Sequence, residues 1–251
     1  MTTIGVYDSG IGGLTTLAAL MRRLPRCSFR YYADNARMPF GTKTAEEVKE
    51  AVCRALSRMR RECDVIVLGC NTASVTADPP GVFKLRPRLD EEELSSVLLL
   101  ATPLTLSRLR ADYGGFMSAD TGELAVLVEI TASLRYKGRR PLDMSVLGGY
   151  LSEKLPRCAP RRILLGCSHY IYLSREISRL YPGASVVSGN LRLAEEVAEA
   201  LGEKPENDGL PALPSAAEEG ARVKTVFTGE REERKYRWLL SRLLTAPPES
   251  L

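Results

Sequence analysis

Two cysteines in this 251-residue chain stand in matching local sequences. Residues 64–74 (DVIVLGCNTAS) and 161–170 (RRILLGCSHY) each lead an apolar strand pattern into Gly-Cys and two polar residues, which places Cys70 and Cys167 at equivalent strand ends. A reaction that removes a proton from one face of a carbon and returns one to the other needs an acid and a base that exchange roles. Cysteine suits both roles, because its unperturbed pKa of roughly 8.5 lets modest electrostatics select thiol or thiolate near neutral pH. The sequence therefore predicts proton transfer by two thiols.

The remaining composition excludes several classes of protein. Six cysteines without a C-x-x-C pair do not form a secreted disulfide framework, and His169 is the only histidine, so a zinc site is not expected. The formal charge of +4 comes without a basic stripe interleaved with aromatic residues, so we expect neither nucleic-acid nor membrane binding. The four other cysteines are expected to be ordinary core or surface residues: Cys27, Cys53, Cys63 and Cys158.

The apolar runs of the chain predict where the protein is located, because none of them resembles a signal sequence or a membrane span. The N-terminal strand pattern meets Asp8 before any run could resemble a signal sequence, and no later run reaches the roughly 18 residues of a membrane span. Together with the cysteine usage, this favours a reducing, cytoplasmic setting.

Strand patterns alternate with helical patterns along the chain, which is typical of βα units and a parallel sheet. A capping box that begins at Thr44 predicts a helix to Arg61, helical spacing predicts another over 230–244, and two more are expected over 122–137 and 142–154. Residues 202–220 contain three prolines and are expected to form a connector. Strands are predicted at 3–7, 29–33, 65–69, 97–101, 163–166, 184–187 and 223–227.

Each Gly-Cys strand end has a companion strand end, at Asp8-Ser9-Gly10 and at Thr102-Pro103. This arrangement predicts an α/β fold of two facing, pseudo-symmetric lobes with mainly parallel sheets and a cleft between the carboxyl ends of their strands, where ligands of open α/β sheets bind. We expect the first lobe to comprise residues 1–92 and 188–251, and the second to comprise residues 93–187.

Several turns could take part in chemistry. Residues 8–15 (DSGIGGLT) form a glycine-rich turn before a helix, which suits a small carboxylate, although a tight turn without a ligand is the alternative and no nucleotide motif is present. Residues 34–41 (DNARMPFG) are either a connector or a functional loop. A cysteine hydrolase that uses His169 is the competing chemistry, but it needs one thiol and leaves the other unexplained.

With these segments the chain resembles the bacterial glutamate racemases of the aspartate/glutamate racemase superfamily. The resemblance runs from Ile4 to about Leu244 and is carried, in order, by IGVYDSGIGGLT, ADNARMPFG, VIVLGCNTAS, LLLATPLTL and ILLGCSHYIYL. It implies a cofactor-independent enzyme that interconverts L- and D-glutamate and supplies D-glutamate for peptidoglycan. It implies no metal, and it leaves a homodimer open.

The resemblance also implies roles for individual residues. Cys70 and Cys167 would be the acid and base on opposite faces of the substrate α-carbon, with Asp8 assisting the first thiol and His169 and Glu129 assisting the second. The substrate would be held by residues of both lobes: Asp8, Ser9, Phe40, Gly41, Asn71, Thr72, Thr102, Ser168 and His169.

The chain departs from the family pattern at three places. Phe40 stands where the family usually has Tyr, with modest expected consequences because the contact there involves backbone, and Ser168 replaces Thr but keeps a hydroxyl. Residues 77–96 are shortened and unlike the family, which bears on lobe orientation and rate more than on chemistry. Alternatives from the residues are a racemase for aspartate or a hydantoin, and a catalytically weak relative that binds acidic ligands.

Overall fold

The computed structural model of the chain describes residues 1–90, 94–113, 115–139, 144–203 and 222–246. The strands of these residues are β1 (Thr3–Asp8), β2 (Ser28–Ala33), β3 (Val65–Leu68), β4 (Phe83–Lys84), β5 (Val97–Ala101), β6 (Met117–Asp120), β7 (Arg162–Gly166), β8 (Ser185–Val187) and β9 (Val223–Phe227). The α-helices are α1 (Leu14–Arg23), α2 (Ala45–Glu62), α3 (Asn71–Thr76), α4 (Pro103–Tyr113), α5 (Leu124–Tyr136), α6 (Met144–Lys154), α7 (Ser174–Leu180), α8 (Asn190–Ala200) and α9 (Glu233–Thr245). The described residues also form two 3₁₀ helices, Phe40–Thr42 and Ser168–Leu173.

The strands form two separate sheets, which we call the sheets of the first and second lobe. The first has the order β4-β3-β1-β2-β9 and the second has the order β6-β5-β7-β8. All the described strand pairs are parallel. The predicted fold class, two α/β lobes with mainly parallel sheets, is therefore confirmed.

Strand register brings the candidate residues to one edge of each sheet. In the first sheet Tyr7 pairs with Leu68, so the turns after β1 and β3 leave the same edge. In the second sheet Ala101 pairs with Gly166, so Thr102 and Cys167 follow neighbouring strands. Because the strands are parallel, all four turns lie at carboxyl ends, where open α/β sheets bind ligands.

Helix α2 shows how directly the local sequence determines one element. The Thr44 hydroxyl accepts the Glu47 N–H at 3.2 Å and the Glu47 carboxylate accepts the Thr44 N–H at 2.8 Å, which completes the predicted capping box. The buried face of α2, represented by Val52 and Met59, belongs to the same apolar cluster as Leu68 on β3. This packing places β3, and Cys70 after it, next to α2.

The largest apolar cluster spans both sheets, so the lobes share a core. It includes Val6 on β1 together with Leu98 on β5 and Ile163 on β7. Helix α1 lies inside it, because all its residues from Leu14 to Arg22 are buried. The Arg22 guanidinium donates to the carbonyls of Leu243 and Leu244 at 2.8 Å, which ties α1 to the end of α9.

Some predicted elements differ from those observed. Strands β4 and β6 are missing from the sequence prediction, because one has only two residues and the other, MSAD, is short and mixed in polarity. The expected connector falls largely outside the described residues, at 204–220, as do residues 91–93 of the unusual segment. The proposed lobe boundaries stay a prediction.

Within the described part of the chain, no helix has both the length and the apolar character that a membrane span requires.

Replacing Thr44 by Ala tests the capping box. Thr44→Ala removes the acceptor of the Glu47 N–H, and loss of such a cap lowers the free energy of unfolding by about 1 kcal/mol. Urea unfolding followed by circular dichroism measures the change. Ser57→Ala, on the exposed side of the same helix, is the control and should stay within about 0.5 kcal/mol of the parent protein. Equal losses in the two variants would contradict the assignment.

Candidate active site

Asp8, at the end of β1, lies at the contact between the lobes. It is fully buried; its Oδ1 accepts the Gly10 N–H at 2.8 Å and its Oδ2 accepts the Ser168 hydroxyl at 2.9 Å. Burial raises the pKa of Asp8, the charge of His169 and these two hydrogen bonds lower it, and the net change is upward. Asp8 is therefore a carboxyl group with an increased affinity for a proton, held in place by a donor from the opposite lobe.

The glycines after Asp8 are required by close packing between the lobes. A Cβ on Gly10 would lie 2.1 Å from Glu129 Oε1, and one on Gly12 would lie 2.3 Å from Ser168 Oγ. The sequence interpretation left room here for a ligand, whereas in this structure second-lobe side chains occupy the space. Glycine is needed because any larger residue would push the two lobes apart.

Cys70 precedes α3 and is 5% exposed. Burial raises the pKa of its thiol well above the ordinary value, the charges of Asp8 and Cys167 raise it further, and the backbone N–H groups of Ala73 and Thr72 act in the opposite direction. Both Asp8 and Cys167 are therefore close enough to Cys70 to act on its ionisation. The resting form of Cys70 is the thiol.

Cys167 begins a chain of three buried groups in the second lobe. Its Sγ lies 3.9 Å from His169 Nδ1, and His169 Nε2 lies 3.1 Å from Glu129 Oε1. Glu129 Oε1 also accepts the Ile11 N–H at 2.7 Å, which is a contact with the first lobe. The order thiol, imidazole, carboxylate is an arrangement in which the imidazole can hold or pass a proton.

The charges of His169 and Glu129 stabilise each other. Burial lowers the pKa of His169, but hydrogen bonds and charges from Cys167 and Glu129 raise it, and the net pKa is well above the ordinary value. Burial raises the pKa of Glu129, but the hydrogen bond and charge of His169, the Ile11 N–H and the charge of Lys235 outweigh it, so the net pKa is lowered. An imidazolium beside Cys167 and a carboxylate behind it follow from these directions.

Three buried hydroxyls from both lobes form a closed ring. Thr72 Oγ1 lies 3.0 Å from Thr102 Oγ1 and 3.1 Å from Thr105 Oγ1, and Thr102 donates to Thr105 at 3.0 Å. Thr105 is missing from the sequence prediction; the signal that could have identified it is its spacing of three residues from Thr102 at the start of a helix. The ring thus joins Thr72, two residues after Cys70, to the start of α4 in the second lobe.

The remaining predicted residues lie nearby or in the adjoining core. Asn71 Nδ2 donates to the Leu85 carbonyl at 3.0 Å, while its buried Oδ1 has no hydrogen-bond partner among the described residues. A Cβ on Gly41 would meet the Thr102 side chain at 2.5 Å. Phe40 packs on Tyr7 with ring centroids 6.1 Å apart, so its side chain belongs to the first-lobe core. Ser9 is buried in the Asp8 turn.

Every predicted site residue is buried. Even Glu129 is only 8% exposed, and Cys167 is 6% exposed. The candidate site is therefore closed around its side chains in this structure, apart from a cavity of about 400 Å³ that Glu129 helps to line. Among the described residues, no group of three or more His, Cys, Asp or Glu side chains could hold a metal ion.

Comparison with known proteins identifies the family. No protein-family model matches the chain. A glutamate racemase from Cereibacter sphaeroides is 31% identical over 258 aligned residues, which cover 90% of this chain and 92% of that protein.

Solved structures agree with the sequence relatives. The crystal structure of a glutamate racemase from Thermus thermophilus in complex with β-chloro-D-alanine has a TM-score of 0.71 at 27% identity, with 98% of this chain and 93% of that chain covered. A glutamate racemase from Escherichia coli has the same fold, with a TM-score of 0.74 at 22% identity and coverage of 96% of this chain and 95% of that chain. Sequence identity and coverage together show that this chain belongs to the glutamate racemase family, whose members are amino-acid isomerases.

Proposed function

We propose that this protein interconverts L- and D-glutamate without a cofactor, by proton transfer between the substrate α-carbon and two cysteines, Cys70 and Cys167. The observation that carries the proposal is that two buried cysteines at Gly-Cys strand ends, one from each sheet, lie at the same lobe contact: Ser168, next to Cys167, donates to Asp8, and Asp8 lies on the strand beside that of Cys70. Each thiol has its own assisting groups there, Asp8 for Cys70 and the His169–Glu129 pair for Cys167.

The proton balance of the reaction follows from these two sets. One sulfur, as thiolate, takes the α-proton from its face of the carbon, and the other, as thiol, gives its proton to the opposite face. In the reverse direction the roles exchange. Asp8, with its raised pKa, can take up the proton of Cys70, and the His169 imidazolium stabilises negative charge beside Cys167.

Negative charge develops on the substrate α-carboxylate when the weakly acidic proton leaves. Preorganised donors lower the energy of that charge, and they act most strongly where water is excluded. In the observed ring each hydroxyl proton of Thr72, Thr102 and Thr105 is used within the ring, so Thr72 and Thr102 would donate to the carboxylate by opening the ring. Further donors are the backbone and side chains of the turns at Ser9, Gly41 and Ser168.

The substrate ammonium group needs acceptors. Asn71 Oδ1 is a buried acceptor, and an unpaired buried acceptor costs about 1–3 kcal/mol, so pairing it with an ammonium group recovers that energy. Phe40 keeps its ring in the core, so in this proposal its backbone, and not its side chain, contacts the substrate. The Thermus thermophilus relative, crystallised with β-chloro-D-alanine, supports an amino acid as the ligand class.

The proposal also covers the use of the product in the cell and the residues that make up each lobe. D-Glutamate made in the cytoplasm would supply peptidoglycan synthesis. The lobes, residues 1–92 with 188–251 and residues 93–187, would separate to admit glutamate and close to exclude water around the α-carbon.

Deuterium exchange tests the two-thiol mechanism. In heavy water, either enantiomer of glutamate should gain deuterium at the α-carbon. Proton NMR measures this exchange, and circular dichroism measures racemisation. Cys70→Ser and Cys167→Ser should each lower kcat by about 10²–10⁴-fold, because the serine hydroxyl ionises far less readily than a thiol. Cys53→Ser, an exposed cysteine on α2, is the matched control and should keep the parent rate.

Three outcomes would contradict this mechanism. Parent rates in either of the two Ser variants would remove the corresponding thiol from it. Faster turnover of aspartate or a hydantoin than of glutamate would change the substrate. Tight glutamate binding without α-hydrogen exchange would make the protein a binding relative.

Ser168→Ala tests the link between the lobes at Asp8. Without the Ser168 donor, the carboxylate form of Asp8 is less stable, so the pKa of Asp8 rises. A hydrogen bond to a charged group contributes about 1.5–3 kcal/mol, so the acid limb of kcat/KM should move to higher pH by roughly one unit or more. Ser168→Thr keeps the hydroxyl and should keep the parent pH profile. An unchanged acid limb in Ser168→Ala would contradict the role of this hydrogen bond.

A further inference from the structure

Lys235, near the start of α9, is a buried cation. Lys235 is 5% exposed. A lysine is almost never fully buried unless it is paired. Its Nζ lies 2.7 Å from Glu232 Oε2 and 3.9 Å from Glu129 Oε2, and it donates to the Ser133 hydroxyl at 3.3 Å. Helix α9 follows β9 of the first sheet, whereas Glu129 and Ser133 lie on α5, between two strands of the second. The lysine therefore links the C-terminal helix to the opposite lobe.

The two carboxylate oxygens of Glu129 face different partners. Oε1 contacts His169 at 3.1 Å and the Ile11 N–H at 2.7 Å, and Oε2 faces Lys235. A carboxylate this deeply buried stays ionised only if charges and donors compensate for lost water. Lys235 is placed on the side of Glu129 that His169 leaves uncovered.

Other titratable groups also surround Glu129. Asp8 is a like-charged neighbour on the first-lobe side, because the negative charge of Glu129 raises the pKa of Asp8. The remaining groups are phenols whose pKa values burial raises, so they are neutral: Tyr31, Tyr172 and Tyr236. The cations facing Glu129 among the described residues are thus His169 and Lys235.

We infer that Lys235 is a positioning residue for the Cys167 half of the reaction, holding Glu129 ionised and oriented so that Glu129 can fix His169 beside Cys167. The inference rests on the proposed function. The Cys70 half depends on Lys235 less directly: both hydrogen bonds to Asp8 come from neutral donors, the Gly10 N–H and the Ser168 hydroxyl, while the charges of His169 and Glu129 act on the pKa of Asp8 from the second lobe. Loss of the lysine charge should therefore slow the proton transfer at Cys167 more than the transfer at Cys70.

Isotope effects can separate the two halves. L- and D-glutamate have equal free energy, so kcat/KM must be equal in the two directions for every variant. A slower Cys167 step becomes more rate-limiting, which increases the α-deuterium isotope effect for the enantiomer whose hydrogen faces Cys167. The isotope effect for the other enantiomer falls. A general loss of structure would change both effects alike.

The experiment compares Lys235→Met and Lys235→Gln, which remove the charge, with Lys235→Arg, which keeps it. Both neutral variants should lose on the order of tenfold in kcat/KM, with diverging isotope effects and an acid limb at higher pH, because Glu129 is protonated more readily without the cation. Lys235→Arg should restore the parent isotope effects and pH profile. Arg237→Met, an exposed charge loss on the same helix, should behave as the parent protein.

A second measurement does not depend on turnover. Since His169 is the only histidine of the chain, its imidazole gives one set of ring-proton NMR signals, whose acid inflections report protonation of the carboxyls beside it, Glu129 by its hydrogen bond and Asp8 by its charge. The Glu129 inflection should move to higher pH in Lys235→Met and Lys235→Gln and stay in place in Lys235→Arg.

The two measurements distinguish failure of this inference from failure of the proposed function. An unchanged inflection in the neutral variants, or parallel isotope effects, would overturn the role of Lys235. A parent protein that exchanges no α-hydrogen of glutamate would overturn the proposed function, while a shifted inflection would still place Lys235 behind Glu129.

Discussion

The whole arrangement depends on two buried carboxylates, each of which takes a hydrogen bond from the opposite lobe. Asp8, on the first lobe, accepts from Ser168 of the second, and Glu129, on the second, accepts from the Ile11 N–H of the first. A buried carboxylate without donors is strongly unfavourable, so closure of the lobes is coupled to satisfying both groups. In the proposed open state, water would replace the lost donors.

The two halves of the site reach similar chemistry by different electrostatics. On the Cys70 side, burial and the charge of Asp8 favour the thiol, and the hydrogen bonds to Asp8 come from neutral donors. On the Cys167 side, charges alternate from His169 to Glu129 and Lys235. The proposed proton transfer needs one sulfur protonated and the other ionised at the start, and the surroundings of Cys70 favour its protonated form.

The fold could be predicted from sequence where the signal is local and strong. The apolar runs of β1, β5 and β7 and the capping box of α2 are complete within a few residues, and each predicted element is confirmed. Strand β4 could not be predicted, because two residues carry no periodicity and their pairing with β3 is set by the sheet. The short polar run of β6 has the same difficulty, since its position beside β5 gives it strand structure.

The site was predictable to the extent that its residues belong to strand ends. Cys70, Cys167 and their neighbours follow strands, and parallel sheets bring such turns to one edge. Lys235 was not predictable in this way, because it lies in the charged run EREERKYR, which has the composition of a solvated helix surface. Helical spacing nevertheless puts Lys235 four residues before buried Leu239, on the same face of α9. A charge on the apolar face of a helix needs a buried partner, and Glu129, itself a charge in the apolar run LAVLVEI, supplies it.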